Sequence, residues 1–322
     1  MMIPEPEMFP SLTAASPSET SVVPLPTVIP GLPITQELGV TGKRTLWVVT
    51  VLMGISSLVF YSLAARAPLV SSPATAQFKH RTNPRIPQTK RVFHTLSALI
   101  TTISFITYLA LATGQGTDFK YAHVLQKHKH VPNTHDDVFR EVLYLRFVNW
   151  ALTTPLLLIN FALLSGLPGA HLLAAIAGTW VSLAAGYLGS FAEHTSVRWV
   201  WLTITCLGFL VSLHHGGFHA QRAARNKEAQ TQRFFTALSG AGFVVSALYP
   251  IALAAGTLAL KISVDVETIL FAVQDIFVQG ILGYWLLLTH DSATGVTLHL
   301  DGFWSHGAGN EGTIRLAEEE GA

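Results

Sequence analysis

Charged residues are scarce in this chain. Of its 322 residues only 12% are Asp, Glu, Lys or Arg, while 50% are hydrophobic and the mean hydropathy is +0.42. A soluble domain carries about 25% charged residues, so a soluble globular class is excluded. Cysteine is almost absent. Cys206 stands alone inside an apolar stretch, which excludes an intrachain disulfide and a cysteine metal cluster. It reads as a small buried hydrophobe. There is no excess charge of one sign either. The net charge is +1, and the Lys and Arg residues sit between apolar runs rather than on one face, so no nucleic-acid partner is expected. No Gly-rich phosphate loop or nucleophile elbow is found, and no enzyme is expected.

The N-terminus lacks the basic start and short apolar core of a signal peptide. Residues 1–43 are rich in Pro, Ser and Thr and read as a disordered extracellular tail. Residues 291–322 read as a flexible cytoplasmic tail, which leaves 44–290 as one membrane domain.

Long apolar runs are what the chain does have. Seven of them fall at 46–65, 92–113, 142–164, 171–191, 199–218, 234–258 and 264–288. Each is near the roughly 20 residues that cross a bilayer as a helix. The predicted fold is an all-α bundle of seven transmembrane helices, with the lipid bilayer as its partner. The fourth run is rich in Ala and Gly, which suits close helix packing in lipid. Pro155 and Pro250 fall inside spans and are expected to bend them. Arg66, Lys79, Arg81, Arg85, Lys90 and Arg91 follow the first span, and Arg222, Arg225, Lys227 and Arg233 follow the fifth. By the positive-inside rule both loops are cytoplasmic, which puts the N-terminus outside and the C-terminus inside.

The last span carries Asp275 and, four residues on, Gln279. Residues four apart share a helix face. An acid at membrane depth costs about 2.5–3.5 kcal/mol and normally faces the bundle interior. Arg146 in the third span is the expected cation for Asp275. Asn149 and Asn160 lie near the same face as Arg146, and Tyr108 and Tyr249 can also reach the interior. Two readings stay open on chemistry alone. These groups are either interhelical glue, at about 0.6 kcal/mol per contact, or the walls of an ion path or ligand cavity.

Two histidine clusters stand out. His123, His128, His130 and His135 lie near Asp136 and Asp137, but their spacing fits no metal motif. His214, His215 and His219 end the fifth span and read as favourable charge at a helix C-terminus. No metal centre is expected.

The run RFVNWALTTPLLL, from Arg146 to Leu158, resembles the third helix of the microbial rhodopsins, which reads R-Y-x-D-W-x-x-T-T-P-L-L-L. Leu248-Tyr249-Pro250 resembles their sixth-helix Tyr-Pro element. Glu267 to Asp275 resembles the seventh-helix run that leads to an Asp and, four residues later, to the lysine that binds retinal. The run Lys261 to Val266 and the stretch Gly302-Phe-Trp-Ser-His-Gly resemble the fungal branch.

The resemblance implies roles at particular positions. Gln279 falls where the Schiff-base lysine stands, and an amide forms no imine; Lys261 lies in the preceding loop. Asn149 falls at the counter-ion and proton-acceptor position, and Asn160 at the proton-donor position. Ser246 and Leu253 fall where pocket tryptophans are expected. Arg146, Trp150, Tyr249 and Asp275 are kept, which makes the site a vestigial pocket. The chain resembles fungal opsin-related proteins without the retinal lysine, a group that includes yeast heat-shock-type plasma-membrane proteins. That resemblance implies no cofactor, retinal only if held non-covalently, and a non-photochemical regulatory or stress-related role. It also implies the plasma membrane as location, other plasma-membrane proteins as partners, and a trimer. The competing expectations are a retinal-dependent light-driven ion pump or photosensor, and a seven-span ligand receptor.

Overall fold

A computed structural model describes residues 34–66, 86–126, 134–227 and 229–292. Much of both expected tails, the basic residues Lys79, Arg81 and Arg85, the fungal-type stretch at Gly302, and His128 and His130 lie outside the described residues. Seven helices are long and apolar enough to cross a membrane: α1 Val40–Ala65, α2 Val92–Ala112, α3 Leu145–Ser165, α4 Gly169–Phe191, α5 Thr195–Ala224, α6 Ala229–Leu258 and α7 Val264–Thr289. This is the expected seven-helix architecture.

Each helix packs against its neighbours in sequence, and α1 closes the ring against α7. Apolar side chains face both ways. Phe161, Leu238 and Leu282 are buried inside, while Leu58 at 70% and Val244 at 72% exposure project outward. In lipid that outward face costs nothing, because backbone polar groups, not side chains, are what a membrane forbids. The α4–α5 contact is backbone on backbone. A Cβ added at Gly208 would lie 2.6 Å from Ser182 N and 2.7 Å from Gly178 O. Small residues therefore set that spacing, as the composition of the fourth span suggests.

Pro155 removes one N–H from α3 and frees the carbonyl of Ala151 four residues back. The indole Nε1 of Trp180 on α4 donates to that oxygen at 2.9 Å. The break is thereby turned into an interhelical bond. Three helices also widen by a π turn, at Leu213–His219 in α5, Ala254–Leu258 in α6 and Ile276–Ile281 in α7. Such turns are frequent at functional sites.

One end of the bundle is capped by a three-stranded sheet of order β1-β3-β2, with β1 at Ile34–Gln36, β2 at Asp118–Gln126 and β3 at Thr134–Val142. β2 and β3 pair antiparallel, and β1 pairs parallel to β3. The sequence reading assigned this loop no structure and took residues up to 43 as tail. Instead Ile34–Gln36 pair with the sheet and α1 begins at Val40. The sheet is pinned by buried charges. Arg140 on β3 bridges to Glu267 on α7 and donates to Ile262 O at 2.9 Å and Gln36 Oε1 at 2.5 Å. Lys120 on β2 donates to Thr257 O at 2.7 Å, and Arg198 on α5 donates to Leu258 O at 2.7 Å. These two cations satisfy carbonyls that the end of α6 leaves open.

Candidate ligand site

The polar centre lies between α2, α3 and α7. Asp275 is buried, and both its oxygens are taken. Tyr108 OH donates to Oδ2 at 2.5 Å, and Trp150 Nε1 donates to Oδ1 at 2.6 Å. Gln279 follows in the π turn of α7. Its Nε2 donates to Thr153 Oγ1 at 3.1 Å and points to Asp275 Oδ1 at 3.5 Å. Its Oε1 accepts from the hydroxyl of Ser104 and from Asn149 Nδ2 at 3.3 Å. Four hydrogen-bonding directions of one amide are thus met by three helices.

The structure corrects the expected ion pair. Arg146 makes no ion pair with Asp275 among the described residues. Its guanidinium sits over the Phe271 ring at 4.5 Å and donates to Thr268 Oγ1 at 3.4 Å. Phe271 lies one helical turn before Asp275, so Arg146 is too near the sheet end to reach it. Asp275 is held by neutral donors instead, and these lower the cost of burying it. The set Arg146–Asp275–Tyr249 is not joined either. The hydroxyl of Tyr249 is buried without a partner, and its ring packs edge-on to Trp150 at 5.0 Å.

An apolar cavity opens beside this centre. Trp150, Leu157, Leu183 and Phe209 supply apolar wall, and Ser246, Tyr249, Asp275 and Gln279 supply polar groups. The mostly apolar lining with a few convergent polar groups is that of a small-molecule site. Leu253 packs behind Trp150 and Tyr249 in one buried cluster. Asn149 belongs to the Gln279 network. Asn160 is buried further along α3, with its Oδ1 unpartnered. The sequence reading named Tyr108 but not Ser104 or Gln274. Ser104 was findable, since it stands four residues before Tyr108 on the same face. Gln274 lines the cavity with its Oε1 unpartnered.

A second polar group forms at the other end of the bundle. His171 from the first turn of α4 stacks on His219 at 4.0 Å, and its Nδ1 lies 2.9 Å from His215 Nδ1. His215 and His219 were singled out in the sequence. His171, distant in the chain, was not.

Seven spans around an apolar cavity, with a tryptophan and a tyrosine hydrogen-bonded to a buried acid, define a seven-helix membrane protein with an apolar cavity at its core. The chain belongs to the family of bacteriorhodopsin-like proteins, whose profile matches residues 69–293. It is 36% identical over 299 residues to Opsin-1 of Neurospora crassa, covering 92% of this chain and 92% of that one. A light-driven proton pump, LR (Mac), from Leptosphaeria maculans has the same fold. Its TM-score is 0.72 at 34% identity, over 81% of this chain and 98% of that one. The light-driven proton pump Coccomyxa subellipsoidea rhodopsin matches with a TM-score of 0.66 at 26% identity, over 80% of this chain and all of that one (100%).

These relatives overturn two expectations. From the sequence, a non-photochemical regulatory or stress-related role and no cofactor are expected. The relatives are a named opsin and light-driven proton pumps, which favours the competing expectation of a light-driven pump or photosensor instead. Substitutions at a few positions were read as loss of the whole activity, while similarity over nearly the full chain speaks for the alternative. The protein is an integral membrane protein of the microbial rhodopsin family with fungal opsin homologues.

Proposed function

We propose that the protein is a retinal-dependent photoprotein of the membrane, a light-driven ion pump or photosensor. The observation that carries this reading is the apolar cavity ending at Asp275 and Gln279, in a chain 34% identical to a light-driven proton pump. Retinal supplies a light-sensitive polyene. Trp150, Leu183 and Phe209 exclude water from such a chain, and the unpartnered Tyr249 hydroxyl offers a polar contact. The fit is partial. None of the residues lining the cavity is a lysine, so the aldehyde end meets the amide of Gln279. That amide can donate a hydrogen bond from Nε2 but has no amine to condense. Asn149 and Asn160 carry no titratable proton, which leaves Asp275 as the acid at the cavity.

The loop charges support a cytoplasmic position for the end that carries Arg222, Arg225 and Arg233, and the plasma membrane is the location we infer. The test is reconstitution of the full chain with all-trans retinal in lipid vesicles. One retinal per chain should survive size exclusion, and illumination should change its absorption spectrum. A light-driven change in vesicle pH marks a pump, and a spectral change without it marks a photosensor. Failure to retain retinal would overturn the proposal.

A further inference from the structure

The three histidines at the end opposite the sheet form a group that the cavity does not use. The ligand nitrogens of His171, His215 and His219 all lie within 4.8 Å of one another, and all three residues are half-buried. Two helices deliver them. His171 comes from the start of α4, and His215 and His219 from the π turn Leu213–His219 of α5. The approach depends on Gly216, where an added Cβ would lie 3.0 Å from Leu158 Cδ2 and 3.3 Å from Ala175 Cβ. Ala175 is one turn beyond His171, so the missing side chain at Gly216 lets the histidine-bearing turns meet.

The chemistry of the group is that of a cation site. Nitrogens bound to one tetrahedral zinc at about 2.0–2.1 Å stand about 3.3 Å apart. His171 Nδ1 and His215 Nδ1 are already at 2.9 Å. In that pair one ring must donate and the other accept, so the two cannot both be protonated at these atoms. The rings are stacked, at 4.0 Å for His171 and His219 and 5.4 Å for His215 and His219. Three imidazoles favour zinc or copper(II) over magnesium or calcium, which take oxygen ligands.

We propose that His171, His215 and His219 form a three-imidazole site for a divalent zinc-class cation that clips α4 to α5, with a fourth position open to water. The clip sits on the helix pair that walls the cavity. Deeper in the bundle, two turns on from His171 and three residues before His215, Thr179 and Ser212 share a hydrogen bond at 2.9 Å, and both line the cavity.

The test uses the full chain without an affinity tag, in lipid nanodiscs, titrated with zinc and with cobalt(II). The expected result is one high-affinity ion per chain, with the intense visible bands of four-coordinate cobalt. His171→Gln and His219→Gln should each weaken binding by more than about tenfold, a loss that even outer-shell changes produce at metal sites. His214→Gln should leave it unchanged. His171→Cys keeps a ligand, so it should retain the ion and add a thiolate-to-cobalt band; this separates loss of a ligand from misfolding. Titration of the His171→Gln and His219→Gln proteins at wild-type affinity would overturn the site, as would a cobalt spectrum typical of six oxygen ligands.

Discussion

Gly186 shows how one residue shapes the cavity wall. A Cβ there would lie 2.0 Å from the Tyr249 hydroxyl and 3.2 Å from Leu253 Cδ2. The tyrosine ring is packed against Trp150 and Phe271. Gly186→Ala should therefore destabilise the bundle by about 1–3 kcal/mol, the usual cost of overpacking. Thermal unfolding in detergent measures it. Adding Tyr249→Phe removes the clashing oxygen and should restore most of the loss. Equal instability of the single and double variants would show that the wall is set by something else. At this scale the sequence was informative about Asp275 and Gln279, since polar residues inside an apolar run have to face inward. It misled about Arg146. Opposite charge made it the natural partner, but reach along the helix axis decides contact. Neutral donors on Tyr108 and Trp150 took the oxygens of Asp275 first.

Helices carry most of what could be read in advance. Apolar length alone located all seven, because the bilayer fixes how many residues a span needs. Proline was read as a bend. The indole that answers it was not, because Trp180 is 29 positions from Ala151 and no local pattern links them. Trp180→Phe keeps the ring and removes the donor. It should cost about 0.5–1.5 kcal/mol, the net worth of one hydrogen bond. Pro155→Ala should make the same tryptophan change nearly neutral, since the N–H at position 155 can then reach Ala151 O. A double-mutant cycle on thermal stability tests this. Additive effects of the two changes would refute the link. The strands at 118–126 and 134–142 are not expected from the sequence, where the loop stands out only for its histidines and charges. Their alternation, with Ala122, Val138 and Val142 buried and Phe119 and Phe139 exposed, is the signal that was passed over.

Across the whole molecule the sheet end gathers three buried cations, Lys120, Arg140 and Arg198, of which Arg140 is paired with the carboxylate of Glu267. Burial, and after it Arg198 and Arg140, push the Lys120 ammonium down from the usual 10.5 to about 7, with Glu267 opposing. The sign of the consequence is fixed by linkage. Between about pH 7 and 10.5 the unfolded chain holds a proton on Lys120 that the folded chain has released, so stability rises with pH over that window. Below about pH 7 both states are protonated and the cost of the buried charge is felt in full. Lys120→Met removes the titrating group. Thermal unfolding followed across this range should show wild type gaining on the variant as pH rises. Parallel curves would mean that Lys120 does not titrate with folding.

The sheet also imposes an order on the making of the protein. Strand β1 precedes every span, yet its partner residues lie on β3, with Ile34 opposite Val138. The clamp that pins β3 depends on Glu267, near the start of the last helix. A ribosome must therefore deliver two membrane helices before β1 has a strand to pair with. It must deliver four more before the cap can lock. The segment ahead of the first helix therefore has no partner strand until two spans have been made, and the cap is complete only once the start of the last helix has been delivered.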